Sequence, residues 1–150
     1  MEWIEGLKGK VVGLDTAPLI YFIEENPAYL EIVRPFFEAV DHGDFQVVTS
    51  VVTLLEVLVQ PLRIGETEVA QQYRDILTSA TGLTTVDLSR DIAEEAARLR
   101  AVHHIRTPDA IQLAVATRAG ASFFLTNDIR LPALPGLTLL ILDDLKISAS

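Results

Sequence analysis

The chain of 150 residues contains no cysteine, which excludes disulfides, thiolate nucleophiles and zinc–thiolate sites. No apolar run approaches the roughly 20 residues that span a bilayer. The opening segment MEWIEGLKGK lacks the apolar core and small-residue cleavage site of a secretory signal. These absences fit a reducing cytoplasm and no membrane partner. Basic residues are scarce, 12 Lys and Arg against 21 Asp and Glu, for a net charge of −9. Such a surface does not grip nucleic acid by general electrostatics, though a few local cations or a metal ion supply attraction at one place. It also suits a basic protein partner. There is no GxSxG-like elbow and no glycine-rich phosphate loop, so the corresponding serine and nucleotide chemistries fall away.

What is present is a hydrophobic chain, 49% apolar by count, long enough to bury a core without staples. We expect one domain over residues 1–150, with 1–10 as an extension before the first strand. VVGLD (11–15), FQVV (45–48), LTTV (83–86), SFFL (122–125) and LTLLIL (137–142) read as strands. Helices are predicted over 17–24, from Asn26-Pro27 to His42, over 51–60 with Pro61 as the stop, and over 66–80. Two more run from Ser89 to His103 and from Thr107-Pro108 to Gly120. Solidly apolar strands alternating with helices predict an α/β fold, a three-layer α/β/α domain around a short parallel sheet of four or five strands.

Four acids stand at strand-to-helix junctions or early in helices: Asp15, Glu56, Asp109 and Asp128. Each has a local reading. Asp15 can cap a helix; Glu56 lies at capping-box spacing from Thr53; Asp109 complements a helix dipole; Asp128 suits a turn. Their coincidence carries more, because a parallel sheet gathers such junctions along one edge. Leu54, Leu55, Val57 and Leu58 predict a largely buried helix around Glu56, where a carboxylate requires a partner. Clustered carboxylates without cysteine or a spaced histidine pair suit a hard cation, Mg²⁺ or Mn²⁺, and metal-assisted chemistry on phosphate. Thr16, Thr126 and Asn127 are placed to orient water or the carboxylates, or simply to cap. Arg98, Arg100, His103, His104 and Arg106 form a basic cluster, read either as charge at a helix C-terminus or as phosphate contacts.

The segments LDTAPLIYFI, TSVVTLLEVL, RTPDAIQLAVA and FFLTND, in that order over essentially the whole chain, resemble the PIN-domain family, and within it the VapC-type ribonuclease toxins of toxin–antitoxin pairs. The resemblance implies a divalent-metal-dependent endoribonuclease with Asp15, Glu56, Asp109 and Asp128 as the metal-binding acids and Thr126 as an accessory hydroxyl. It further implies an RNA substrate, a cognate antitoxin and a homodimer. Two departures stand out: the extension carrying Trp3 and Ile4, and an arginine that follows the last acid as Arg130, with Asn127 before it. The alternatives are a non-catalytic PIN-fold binding module and a phosphatase using Asp15 as nucleophile. The phosphatase would want a second aspartate where Ala17 stands.

Overall fold

A computed structural model describes residues 1–149, with side chains through Lys146. The strands are β1 (Val11–Leu14), β2 (Gln46–Ser50), β3 (Leu83–Val86), β4 (Phe123–Thr126) and β5 (Thr138–Ile141). The helices are α1 (Glu2–Glu5), α2 (Thr16–Ile23), α3 (Leu30–Asp41), α4 (Val51–Ile64), α5 (Thr67–Ser79), α6 (Arg90–His103), α7 (Thr107–Arg118) and α8 (Leu142–Ala149). The sheet is parallel throughout, in the order β3-β2-β1-β4-β5. The expected three-layer α/β/α architecture is therefore the observed one.

Alternation along the strands sorts the two layers. Val12 and Leu14 face a core built with Leu19, Val33, Phe36, Phe37 and Tyr73 from α2, α3 and α5. On the other face α6 and α7 pack through Ile92, Ala96, Ala110, Ala114 and Val115. Gly13 lets α7 come close: a Cβ there would lie 2.7 Å from both the Ala116 Cβ and the Phe124 Cδ1. The N-terminal extension joins the first core, with Ile4 buried and Trp3 stacked on Phe36 at 6.0 Å between ring centroids.

Three expectations need correction. Pro61 lies inside α4, which continues to Ile64 and stops at Gly65 in the left-handed region, φ 77°. A proline removes one backbone donor, whereas the left-handed residue turns the chain away. The Asn26-Pro27 pair makes a turn, in which the Asn26 side chain accepts from the Ala28 N–H, and α3 begins at Leu30. Most consequentially, α4 is not largely buried. Leu55, Val59 and Leu62 are exposed, Leu55 by 66%, and Glu56 is exposed beside them. Apolar residues on two sides of one helix outnumber what its own core can cover. Among the described residues, no helix is long and apolar enough to cross a membrane.

Candidate active site at the sheet switch point

The strand order reverses direction between β1 and β4, and in open parallel sheets ligands bind outside the carboxyl ends of the strands at such a point. Asp15 follows β1 and Asp128 follows β4. Asp109 enters from the first turn of α7, and Glu56 from the second turn of α4.

Thr126, the last residue of β4, ties the two strands together. Its buried hydroxyl donates to Asp15 Oδ2 at 2.7 Å and accepts from the Asp128 N–H at 3.0 Å. Asp15 also caps α2, its Oδ1 accepting from the Thr16 N–H at 2.8 Å. Capping and site placement are thus compatible roles of one carboxylate. Burial raises the Asp15 pKa above the usual carboxylate range. The Thr126 and Thr16 hydrogen bonds oppose that rise, and the charges of Asp109 and Glu56 add to it. Asp109 and Glu56 thus both lie within electrostatic reach of Asp15. Asp128 adjoins Asp15 across one cavity of about 400 Å³ and Asp109 across another of about 160 Å³.

Each carboxylate has its own donor. Thr16 donates to Glu56 Oε1 at 2.8 Å. Arg106 Nε meets Asp109 Oδ2 at 3.4 Å. Arg130 forks onto Asp128 with Nε–Oδ1 at 3.0 Å and Nη2–Oδ2 at 3.3 Å, which holds the Asp128 carboxyl below its ordinary pKa. With the acids turned to these donors, no three His, Asp or Glu side chains among the described residues are arranged to hold a metal ion. The fit to a divalent cation is one of donor type and charge. All the donors are hard oxygens, and Asp15, partly buried next to two other carboxylates, has no ion-pair partner among the described residues.

Beneath the acids lies a hydroxyl and amide network that sequence reasoning did not anticipate. Of the five buried polar side chains among the described residues, Thr49, Ser50, Thr53 and Gln112 form it, while the fifth, Thr126, bonds to Asp15. Thr49 donates to the Leu14 carbonyl at 2.9 Å, so the 2.9 Å contact between Thr49 and Thr53 must carry the Thr53 proton. Ser50 donates to Gln112 Oε1 at 2.8 Å, and the Gln112 amide donates to Thr53 and, at 3.4 Å, to Thr16. Each hydroxyl has a single proton to give. The Thr16 proton goes to Glu56, so the 3.2 Å approach of Thr16 and Thr53 is a contact held by the shared amide. The available signals were a lone glutamine in the apolar run AIQLAVA and the polar cluster TSVVT at the end of β2.

The basic cluster divides. Arg98 pairs with Glu95 at 3.0 Å, and Arg100 braces the turn into α7 by donating to the Ile105 carbonyl and the Thr107 hydroxyl, both at 2.9 Å. His103, His104 and Arg106 line the cavity shared by Asp109 and Asp128. Asn127 anchors the other side of the acidic loop. Its amide donates to the Tyr29 hydroxyl at 3.0 Å and its carbonyl accepts from the Asp143 N–H at 3.2 Å, while Tyr29 donates to Asp143 at 2.7 Å.

The chain matches the family model of the PIN domain over residues 12–137, and it belongs to that family. Among solved structures it is similar to VapBC2 of Rickettsia felis bound to a promoter DNA fragment, with a TM-score of 0.68, 21% identity, and 87% of this chain and 98% of that one covered. It is also similar to a toxin–antitoxin complex from Klebsiella pneumoniae, with a TM-score of 0.65, 25% identity, and 85% and 95% covered. A third similar structure is VapC20 of Mycobacterium tuberculosis, a toxin that cleaves the sarcin–ricin loop, with a TM-score of 0.63, 18% identity, and 76% and 86% covered. A search of curated proteins found no match.

Proposed function

We propose that the chain is a divalent-metal-dependent endoribonuclease and the toxin of a toxin–antitoxin pair. The observation that carries this reading is the accumulation of Asp15, Glu56 and Asp109 at the switch point, with no basic side chain among the described residues paired to Asp15 or Glu56. Asp15, Glu56, Asp109 and Asp128 would hold Mg²⁺ or Mn²⁺, which supplies Lewis-acid polarisation of the phosphate and activates a water. Thr126 and the Thr16 N–H fix both oxygens of Asp15, and the Thr16 hydroxyl holds one oxygen of Glu56. The carboxylates therefore enter the reaction already oriented. Ala17 stands where an aspartyl-phosphate enzyme would carry its second acid, which disfavours the phosphatase reading.

The purified chain is expected to cut structured RNAs in Mn²⁺ or Mg²⁺ and to stop in chelator. Asp109→Asn should lower the rate by about a hundredfold or more. Cleavage that persists in chelator would remove the metal from the reading. Absence of calorimetric metal binding would leave a non-catalytic binding module.

The exposed Leu55, Val59 and Leu62 stripe runs along α4 beside Glu56. We take it as the seat of the antitoxin, whose basic segment would continue from the apolar face onto the acids. The paired change Leu55→Ser with Leu62→Ser is expected to weaken a co-expressed antitoxin complex by about thirtyfold or more. An unchanged dissociation constant would place the antitoxin elsewhere.

A further inference from the structure

Five ion pairs are formed among the described residues, and two of them use candidate metal ligands: Arg106 with Asp109 and Arg130 with Asp128. In both, the acid is sheltered and the arginine is not. The Asp109 and Asp128 side chains are 15% and 20% exposed, against 71% and 78% for their arginines. Each arginine lies two or three residues from its acid, so it can swing away without moving the backbone. Exposed pairs of this kind contribute little stability, which makes the exchange of partners inexpensive. Arg130 occupies both oxygens of Asp128, and those oxygens are what a cation would need. Arg106 and Arg130 line the same cavity as the two acids, and a guanidinium fork matches a phosphate as well as it matches a carboxylate.

We propose that Arg106 and Arg130 are a phosphate clamp held in reserve by the acids of the site. Each leaves its carboxylate when that carboxylate takes up a divalent cation, and each then binds a backbone phosphate of the substrate. The inference rests on the nuclease reading and adds a partner exchange to it. It also answers the charge problem of this protein. A chain of net charge −9 repels RNA in general, and the exchange releases two cations at the site only once the acids there have been neutralised.

The test uses the full chain with Arg106→Gln, Arg130→Gln and the double variant, all of which alter exposed side chains. Calorimetric titration with Mn²⁺ alone should show the variants binding the ion up to about fivefold more tightly, because a competing guanidinium is gone. A short single-stranded DNA oligonucleotide, serving as an uncleaved mimic of the RNA backbone, should behave oppositely. In Mn²⁺ the variants should bind it more weakly, with the slope of log affinity against log salt shallower by about 0.7 for each arginine removed. In chelator, wild type and variants should bind it alike. Equal losses with and without Mn²⁺ would show permanently free phosphate ligands and overturn the exchange. Unchanged or weaker Mn²⁺ binding in the variants would reduce the pairs to local structure. Wild-type protein that cleaves RNA with metal while its arginine variants match it in every assay would sink the clamp alone. Wild-type protein that binds no Mn²⁺ would sink the nuclease reading with it.

Discussion

Asp15→Asn is expected to slow catalysis severely while making the metal-free protein more resistant to heat near neutral pH. Asp15 is partly buried at the switch point, and its pKa is raised chiefly by burial, with Asp109 and Glu56 adding to the rise. An unfolded aspartate ionises near 3.9. Between that value and the raised native one, the folded chain keeps a proton that the unfolded chain has lost, so stability falls as pH rises through this window. Above the window the ionised carboxylate is a standing cost to the metal-free fold. Asparagine keeps an acceptor for the Thr16 N–H, offers the Thr126 oxygen an amide donor in place of Oδ2, and carries no charge. Calorimetry in chelator should therefore show the variant melting above wild type at neutral pH, with the difference vanishing well below pH 4. Mn²⁺ should raise the melting temperature of wild type and not that of the variant. The cleavage rate should fall by about two to three orders of magnitude. A variant less stable than wild type at neutral pH would mean that the hydrogen bonds of Asp15 to Thr16 and Thr126 outweigh the cost of its buried charge.

The second large effect belongs to Gln112. Its amide takes the Ser50 proton and gives its own to Thr53 and Thr16, from a helix in which residues 110–116 are all buried. Gln112→Leu is close in volume, yet it leaves the Ser50 donor and the Thr53 acceptor unpaired in the interior. Orphaned buried groups cost about 1–3 kcal/mol each, so a loss of about 3 kcal/mol and a fall in melting temperature of about 6–12 °C are expected. Gln112→Glu should lose a similar amount, because both protons that satisfy the threonine oxygens disappear. Thermal unfolding decides this, and a change of less than about 1 kcal/mol would show the network to be dispensable. Activity should drop as well, since Thr16 is held partly by this amide and itself orients Glu56.

How far the molecule could be read in advance differs from residue to residue. The sheet was legible because its strands are continuous apolar runs separated by helical periods. The placement of Asp15, Asp109 and Asp128 followed from that, since the ends of parallel strands share an edge. The setting of Glu56 was misjudged. Periodicity reports that α4 is apolar, yet whether Leu55 faces its own core or a partner depends on what lies beyond the chain. Gln112 escaped notice because its role consists of hydrogen bonds to residues some sixty and ninety positions away, and no local pattern encodes those. Pro61 misled for a related reason. The cost of one missing backbone bond is small beside the packing of a ring that is itself buried.

The order of the strands bears on when the site comes into being during synthesis. β1 is made early but sits at the centre of the sheet, and its second neighbour, β4, begins only at Phe123. Asp15 lacks its Thr126 hydrogen bond, and the switch point lacks one wall, until that strand is translated and docked. Asp128 comes later still. Domains fold as units while the ribosome adds about 5–20 residues per second, so for most of its translation the nascent chain carries scattered carboxylates and no assembled site.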